Sequence, residues 1–475
     1  MDKRVRLSAP GLMAMVVGSM VGVGVFSLPQ SLGRYTGVVG SLIGWTITGT
    51  GMLTLALIFQ RLAWRKPELD VGVYTYARVG FGRYTGFLSA FGYWCASCLG
   101  NVAYLVLIKS ALAIVVPAFG AGNTLSAIVS SSALIWIFHF LILRGVKGTS
   151  ILNASMTVAK LLALGLFSVL VLSGVKWDLF IDNLWTAPDP STVGLFGEVR
   201  KTMLGTAFVF LGVEGASVYS RHARERRDVG VATVLGFLCV LALMVIVTLL
   251  SYGVLPREQM GALKNPSLAG VLSAAVGGWG AVVVKLGLLL SVLGSYLAWT
   301  LLAAEILHAA GKSRTMPAFL GRENRNHVPV AAMWMTSLVI QVFLIITLFS
   351  KEAFTLAKEL TTSMNLIPYL LVAGYGLKLA SSGESYAGQS WARRIDFMLA
   401  LAGCAYALFL VYAGGLHYLL MSTVLYMAAT AWFYLAERRK GRRQVFTLLE
   451  RGLFAVVLAA ALVASAELVR RYFAT

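Results

Sequence analysis

Apolar runs of about twenty residues recur along almost the whole chain, and they leave few folds open to it. A run of that length is what an α-helix needs to cross the hydrocarbon core of a bilayer. Within lipid every backbone N–H and C=O must find its partner inside the protein, so such runs fold as a set of membrane helices. The 475 residues are 58% hydrophobic and only 13% charged, which excludes a water-soluble multidomain protein. The runs predict helices at about 11–29, 38–59, 84–114, 126–143, 152–173, 202–220, 230–255, 281–308, 330–349, 354–377, 397–413, 418–436 and 453–468. The thirteenth would put Arg470 and Arg471 outside, and a re-entrant or interfacial segment is the alternative there. The first follows Asp2-Lys3-Arg4-Val5-Arg6 as a signal peptide would, but Ser27-Leu28-Pro29 is a poor cleavage site, so it reads as a retained helix.

Forty Lys and Arg against twenty Asp and Glu give a net charge of +20. In a soluble protein this would raise nucleic-acid binding. Here the basic residues sort by side: 26 fall in the loops that share a side with the N-terminus, and 8 in the opposite loops. Membrane proteins keep Lys and Arg in short cytoplasmic loops, so the asymmetry puts the N-terminus in the cytoplasm and accounts for the charge without nucleic acid. No loop is long enough to fold as a domain, which leaves the chemistry to the helices and points to transport.

Cys95, Cys98, Cys239 and Cys404 lie inside apolar runs, with no second pair or histidine cluster to complete a zinc site, and read as structural thiols. His139, His222, His308, His327 and His417 are scattered, which argues against metal chemistry. No Ser/His/Asp grouping, phosphate loop or pair of catalytic carboxylates stands out, which weakens an intramembrane enzyme acting on lipids. A channel would more often show a ring-forming filter built by several subunits. No metal or cofactor is expected.

Two runs carry glycine clusters at their centres, Gly18-Ser19-Met20-Val21-Gly22-Val23-Gly24 in the first and Gly212-Val213-Glu214-Gly215 in the sixth. Glycine costs a helix roughly 1 kcal/mol relative to alanine and leaves backbone groups open to other partners. Close packing of small residues, as at Gly18 and Gly22, is one reading. The other rests on the pair: first and sixth are matching places if helices one to five and six to ten are inverted repeats, the sequence pattern of a transporter site at the midplane. Each break opens a half-helix N-terminus, whose amides and positive dipole end suit a carboxylate. Each also opens carbonyls that suit an ammonium group, and a free amino acid presents both.

Gly18 to Pro29 (Gly-Ser-Met-Val-Gly-Val-Gly-Val-Phe-Ser-Leu-Pro), Gly72 to Gly82 (Gly-Val-Tyr-Thr-Tyr-Ala-Arg-Val-Gly-Phe-Gly), Tyr93-Trp94 with Gly100-Asn101, Phe210 to Ser217 (Phe-Leu-Gly-Val-Glu-Gly-Ala-Ser), Trp299 to Ala303 (Trp-Thr-Leu-Leu-Ala) and Ile367-Pro-Tyr-Leu370 follow one another in order. Together they resemble the basic amino acid/polyamine antiporters of the amino acid-polyamine-organocation superfamily, most of all the arginine/ornithine antiporters, with the arginine/agmatine exchanger a more distant match. The resemblance implies an all-α polytopic membrane protein of 12–13 transmembrane helices. Residues 1–379 would form a five-plus-five inverted-repeat (LeuT-like) core with broken helices one and six, its repeats at about 1–175 and 199–379, and 380–475 would add accessory helices 11 to 13. It implies alternating-access exchange of cationic amino acids, arginine for ornithine, across the cytoplasmic (inner) membrane, and suggests a homodimer. Arginine/agmatine or lysine/cadaverine exchange and proton-coupled import of cationic amino acids stay open.

By position, the resemblance puts Ser19, Val21, Val23 and Gly24 around the substrate carboxylate. It puts Ala96, Ser97, Asn101 and Tyr104 near the guanidinium or side-chain amine, and Phe208 stacked on the side chain. Leu211 would offer a carbonyl, Trp299 a middle gate and Thr361 a hydroxyl, while Tyr93 and Tyr369 would close the path towards the outside. The arginine/agmatine pattern has Asn in place of Ser19, Ser for Val23, Cys for Ser97, Met for Tyr104 and Trp for Phe208, which leaves the exact substrate open. Read as chemistry, the π-faces of Phe208 and Trp299 attract a cation by about 0.5 to 2 kcal/mol each, so no buried carboxylate partner is needed. Ordinary packing is the other reading of both rings.

Glu214 is a carboxylate inside the membrane, and such groups are costly enough to be functional by default. It reads as a gate or proton-sensing group coupling the sixth-helix break to the cytoplasmic side, or as a carboxylate that satisfies freed backbone amides. Lys160 lies about two turns into the fifth run, facing the place where related transporters hold sodium. Its ammonium would replace that ion and hold the first and eighth helices together, or carry a proton. The resemblance supports the former, and with it no dependence on sodium. Lys109 and Lys285 read as snorkelling residues near helix ends, and Glu305 as the partner of a loop cation.

Overall fold

The computed structural model describes residues 9–69, 72–144, 149–185, 192–214, 226–326, 328–441 and 444–473. Among them are eighteen α-helices and no strand. In order these are α1 (Ala9–Met20), α2 (Leu28–Gly33), α3 (Val38–Arg65), α4 (Gly72–Phe81), α5 (Arg83–Leu112), α6 (Leu125–Leu143), α7 (Thr149–Leu172), α8 (Trp177–Asp182) and α9 (Thr192–Phe208). Then come α10 (Arg226–Tyr252), α11 (Arg257–Ala262), α12 (Ser267–Val276), α13 (Gly278–Lys312), α14 (Val330–Ile346), α15 (Ala353–Ser382), α16 (Ser390–Ala413), α17 (Gly415–Arg439) and α18 (Leu448–Phe473). Nine stretches of the described residues are long and apolar enough to cross a membrane, so the chain is an all-α polytopic membrane protein. The thirteenth expected run falls within α18, which is one of the nine.

The first run is split. Helix α1 stops at Met20, a 3₁₀ turn occupies Gly24–Ser27, and α2 restarts at Leu28 with Pro29 in its first turn, where the missing proline N–H costs nothing. The sixth helix differs from expectation at both ends. Helix α9 begins ten residues before the expected 202, because its outer turns carry Glu198, Arg200 and Lys201 and so escape a hydropathy reading. It ends at Phe208, and turns follow as far as Glu214. Gly215 and the rest of that run, with Arg221, His222 and Arg224, lie outside the described residues, as does His327.

Helix α5 is buried over nearly its whole length and apolar on all sides, as a central helix must be. Helices α15 and α13 flank it, and α1 lies against α10, α7 and α13. Pro368 interrupts α15: it has no N–H to offer the carbonyl of Met364, which instead accepts a hydrogen bond from the Tyr426 hydroxyl of α17 at 3.3 Å. Outward faces of the peripheral helices expose Val129, Ile137, Leu162, Val169, Val342 and Leu408, an apolar belt that only lipid would cover.

Polar fasteners gather at the helix ends. Asp396 of α16 accepts from Arg65 of α3 (2.6 Å) and from the Tyr386 hydroxyl (2.9 Å), and the Arg65 guanidinium lies 3.8 Å above the Tyr386 ring. Glu450 of α18 caps α5, accepting the Tyr84 amide at 2.8 Å, and caps its own helix through Thr447 at 2.9 Å. Asn183 ties the segment after α8 to Tyr252 O, Leu255 O and the Arg257 amide, at 2.7, 3.0 and 2.9 Å.

Candidate functional site

The first break follows from one misdirected amide. The Gly22 N–H donates to Met20 O at 2.9 Å and not to Gly18 O, which cuts the helical ladder. Beyond it, the amides of Val23, Gly24 and Val25 have no acceptor among the described residues. On the other side of the cut, the carbonyls of Gly18 and Val21 accept from the Lys160 ammonium of α7 at 2.7 and 2.9 Å. The third Lys160 donor goes to Ser295 of α13 at 3.2 Å, so one fully buried ammonium holds α1, α7 and α13 together. The glycines are needed for close approach. A Cβ at Gly22 would sit 2.8 Å from the Tyr104 hydroxyl, and one at Gly24 would sit 2.5 Å from Val209 Cγ1.

The second break touches the first. Gly212 has a φ of +102°, which glycine adopts without strain, and its carbonyl lies 3.0 Å from the Ser19 hydroxyl. The Gly212 amide donates to Glu214 Oε2 at 3.2 Å. The same oxygen accepts from the Tyr369 hydroxyl of α15 at 2.6 Å, and Glu214 Oε1 accepts from the Tyr93 hydroxyl of α5. The carboxylate is fully buried. It satisfies a freed amide, as one of the two readings expects, and at the same time joins the break to α5 and α15.

Between the breaks lies a narrow cavity. Val23, Gly24, Ala96, Tyr104, Phe208, Leu211, Trp299 and Thr361 line it, all of them expected site residues. Met20, Gly22, Gly100 and Val209 complete the wall and were not expected; Met20, Gly22 and Gly100 stood in the motifs, but nothing in the sequence marks Val209. Ser19, Val21, Ser97 and Asn101 do not line it. Ser97 donates to Tyr93 O at 2.8 Å and Asn101 to Thr300 at 3.1 Å, each tied within or between helices behind the wall. The Thr361 hydroxyl bonds back to Ala357 O at 2.7 Å. Trp299 stacks on Tyr93 with ring centroids 6.3 Å apart, joining the cavity to the Glu214 cluster.

Axial order corrects one expectation. Along α5, Tyr93 comes before Ala96, Gly100 and Tyr104, so it lies on the side of the cavity towards Arg83, where α5 begins. Along α15, Tyr369 comes after Thr361, towards Lys378 and the helix end. Tyr93 and Tyr369 therefore both lie between the cavity and the end marked by the basic loops. This is the end opposite to the one expected for them, and the hydrogen bonds to Glu214 hold both hydroxyls there.

An amino acid permease family model matches residues 7–435. An arginine/ornithine antiporter of Pseudomonas aeruginosa is 48% identical over 98% of this chain and 97% of its own length. An L-lysine transport protein of Corynebacterium glutamicum is 38% identical over 95% of this chain and 92% of its own. An arginine/agmatine antiporter of Chlamydia abortus is 37% identical over 92% of this chain and 90% of its own.

Proposed function

Because the chain belongs to the amino acid permease family, we propose that it is an antiporter of cationic amino acids that exchanges external arginine for internal ornithine. It works by alternating access across the cytoplasmic (inner) membrane, with its N-terminus and basic loops in the cytoplasm. The observation that carries the reading is the first break: three amides without acceptors stand beside a cavity walled by Phe208 and Trp299. Amides so arranged bind a carboxylate, and aromatic faces bind a cation. An amino acid with a charged side chain supplies both in one molecule.

In this reading Val23 and Gly24 hold the α-carboxylate, with Ser19 and Val21 shaping the break behind them. Phe208 and Trp299 hold the guanidinium or side-chain ammonium. Ala96, Tyr104, Leu211 and Thr361 bound the cavity, and Ser97 and Asn101 position α5. Glu214, with Tyr93 and Tyr369, forms the inner closure, and Lys160 fixes the first break in the place of a sodium ion. Residues 1–379 act as the transport core, the repeats at about 1–175 and 199–379 moving against each other, and 380–475 as accessory helices that support a homodimer in the bilayer. Two substrates of like charge exchange one for one, so the cycle moves no net charge and needs no ATP.

Uptake of labelled arginine into proteoliposomes tests this. Vesicles are left empty or loaded with ornithine, arginine, agmatine or lysine. Uptake that requires internal ornithine or arginine supports the proposal. Equal uptake into empty vesicles under a proton gradient would make the protein a proton-coupled importer, and a requirement for agmatine would make it an amino acid/amine exchanger.

A further inference from the structure

A second pocket, with about 420 Å³ of empty space, lies on the same path at the end remote from Glu214. Three elements line both spaces, one helical turn or so apart: Leu28 against Gly24, Gly205 against Phe208, and Lys358 against Thr361. Its walls carry the cations Arg34, Lys201 and Lys358 and the carboxylate Glu359; Arg34 pairs with Glu352 at 3.6 Å, which leaves two lysines to one carboxylate. Lys358 is only 5% exposed. One of its three donors goes to the Ser31 hydroxyl at 3.2 Å, and the Glu359 carboxylate lies 3.3 Å from its nitrogen. A Cβ at Gly205 would come 3.6 Å from that nitrogen, so the ammonium lies directly over the α9 backbone at the approach to Phe208.

An excess of positive charge is a poor receiver for a cation unless something negative on the same molecule is being read. We propose that this outer pocket is a reading station for the α-carboxylate of the incoming amino acid, which lets cationic amino acids pass and turns back amines that lack a carboxylate. Lys358 and Lys201 take the carboxylate, and Glu359 meets the α-ammonium. Arginine carries one net positive charge and a carboxylate, whereas its decarboxylated amine carries two positive charges and nothing for the lysines to hold. The inference rests on the exchange reading above and extends it to the choice of external substrate.

The test uses right-side-out membrane vesicles from cells that overproduce the full chain, loaded with ornithine, comparing wild type with Lys358→Gln and Lys201→Gln. Each variant is expected to raise the half-saturating concentration of external arginine about tenfold and to strengthen competition by external agmatine by a similar factor, the loss of one close charge pair. Half-saturation by internal ornithine stays unchanged, because the pocket lies outside the closed path. Unchanged arginine affinity and agmatine competition in both variants would overturn the proposal. So would equal shifts on the two faces, which would mean that the lysines act through the central cavity. Lys201 is exposed, so its variant carries the test if Lys358→Gln does not fold. Absence of ornithine-dependent uptake in the wild type would instead overturn the exchange reading itself.

Discussion

Replacing Lys160 by methionine removes three hydrogen-bond donors and keeps most of the side chain's length and apolar volume. The carbonyls of Gly18 and Val21, which accept from the ammonium at 2.7 and 2.9 Å, lose that partner in a place where the lysine is 1% exposed. A buried polar group left unpaired costs about 1–3 kcal/mol, so the pair costs roughly 2–6 kcal/mol. Water from the neighbouring cavity relieves part of this, and a residual of about 3 kcal/mol corresponds to roughly a hundredfold shift away from the shaped break. Arginine/ornithine exchange by Lys160→Met in proteoliposomes is therefore expected to fall by about two orders of magnitude at saturating arginine. The helix bundle itself keeps its apolar contacts, so the detergent-extracted protein should still elute as one species. Lys160→Gln, which keeps a donor of shorter reach, should fall between. A methionine variant that exchanges within about threefold of wild type would show that the ammonium does not shape the break.

In the proposed role of Lys160 as a stand-in for a bound ion, exchange should run equally fast in sodium chloride and choline chloride; stimulation by sodium would remove Lys160 from that role. Glu214→Gln keeps the shape but replaces charge-assisted hydrogen bonds from Tyr93 and Tyr369 with neutral ones, so exchange should slow about tenfold and its pH profile should change. Unaltered exchange and unaltered pH dependence would sink the gating role. Citrulline has arginine's shape without its charge and forfeits both cation–π contacts, about 1–4 kcal/mol together, so it should compete at least about fivefold less well than arginine; competition within about twofold would refute the aromatic site. In the loop after α13, the hydrogen bond from Lys312 draws the Glu323 carboxyl down to about 2 from an ordinary 4.5, with His308 adding to it against a small cost of burial. The carboxyl is thus ionised in the folded chain where an unfolded one would protonate. Its contribution, under about 1 kcal/mol at so exposed a place, is complete above pH 4.5 and is lost as the pH falls towards 2. The melting difference between wild type and Glu323→Gln should therefore narrow steadily as the buffer is taken from about pH 5 to pH 3.

The first break was legible because glycine in the middle of an apolar run is a local signal, and the place where α1 stops falls inside the cluster that predicts it. Lys160 was legible for the same reason, a charge where none is tolerated without a purpose. Its acceptors were less so, lying 142 and 139 residues away in sequence. The Glu214 cluster joins residues 121 and 155 apart, and no local pattern says which hydroxyls a carboxylate will meet or towards which end of the helices they lie. The start of α9 and the outer pocket share another cause. Hydropathy takes a charged helix turn for a loop, so Lys201 falls outside the expected sixth helix although it stands on α9, and nothing in the run at 354–377 marks Lys358 as facing a pocket.

The cavity divides recognition between two unlike chemistries. No carboxylate lines it, and the nearest one in the second break, Glu214, is already occupied by the Gly212 amide and two tyrosine hydroxyls. In the proposed site a cation is therefore met by π-faces and carbonyls, which fall off gently with distance and accept a guanidinium or an ammonium. The carboxylate end is different: backbone amides point one way and cannot adapt, so that end sets the register of the ligand. Such a site reads the constant part of an amino acid strictly and its charged end loosely. That suits a carrier that must bind arginine from one side and the shorter ornithine from the other with the same few groups.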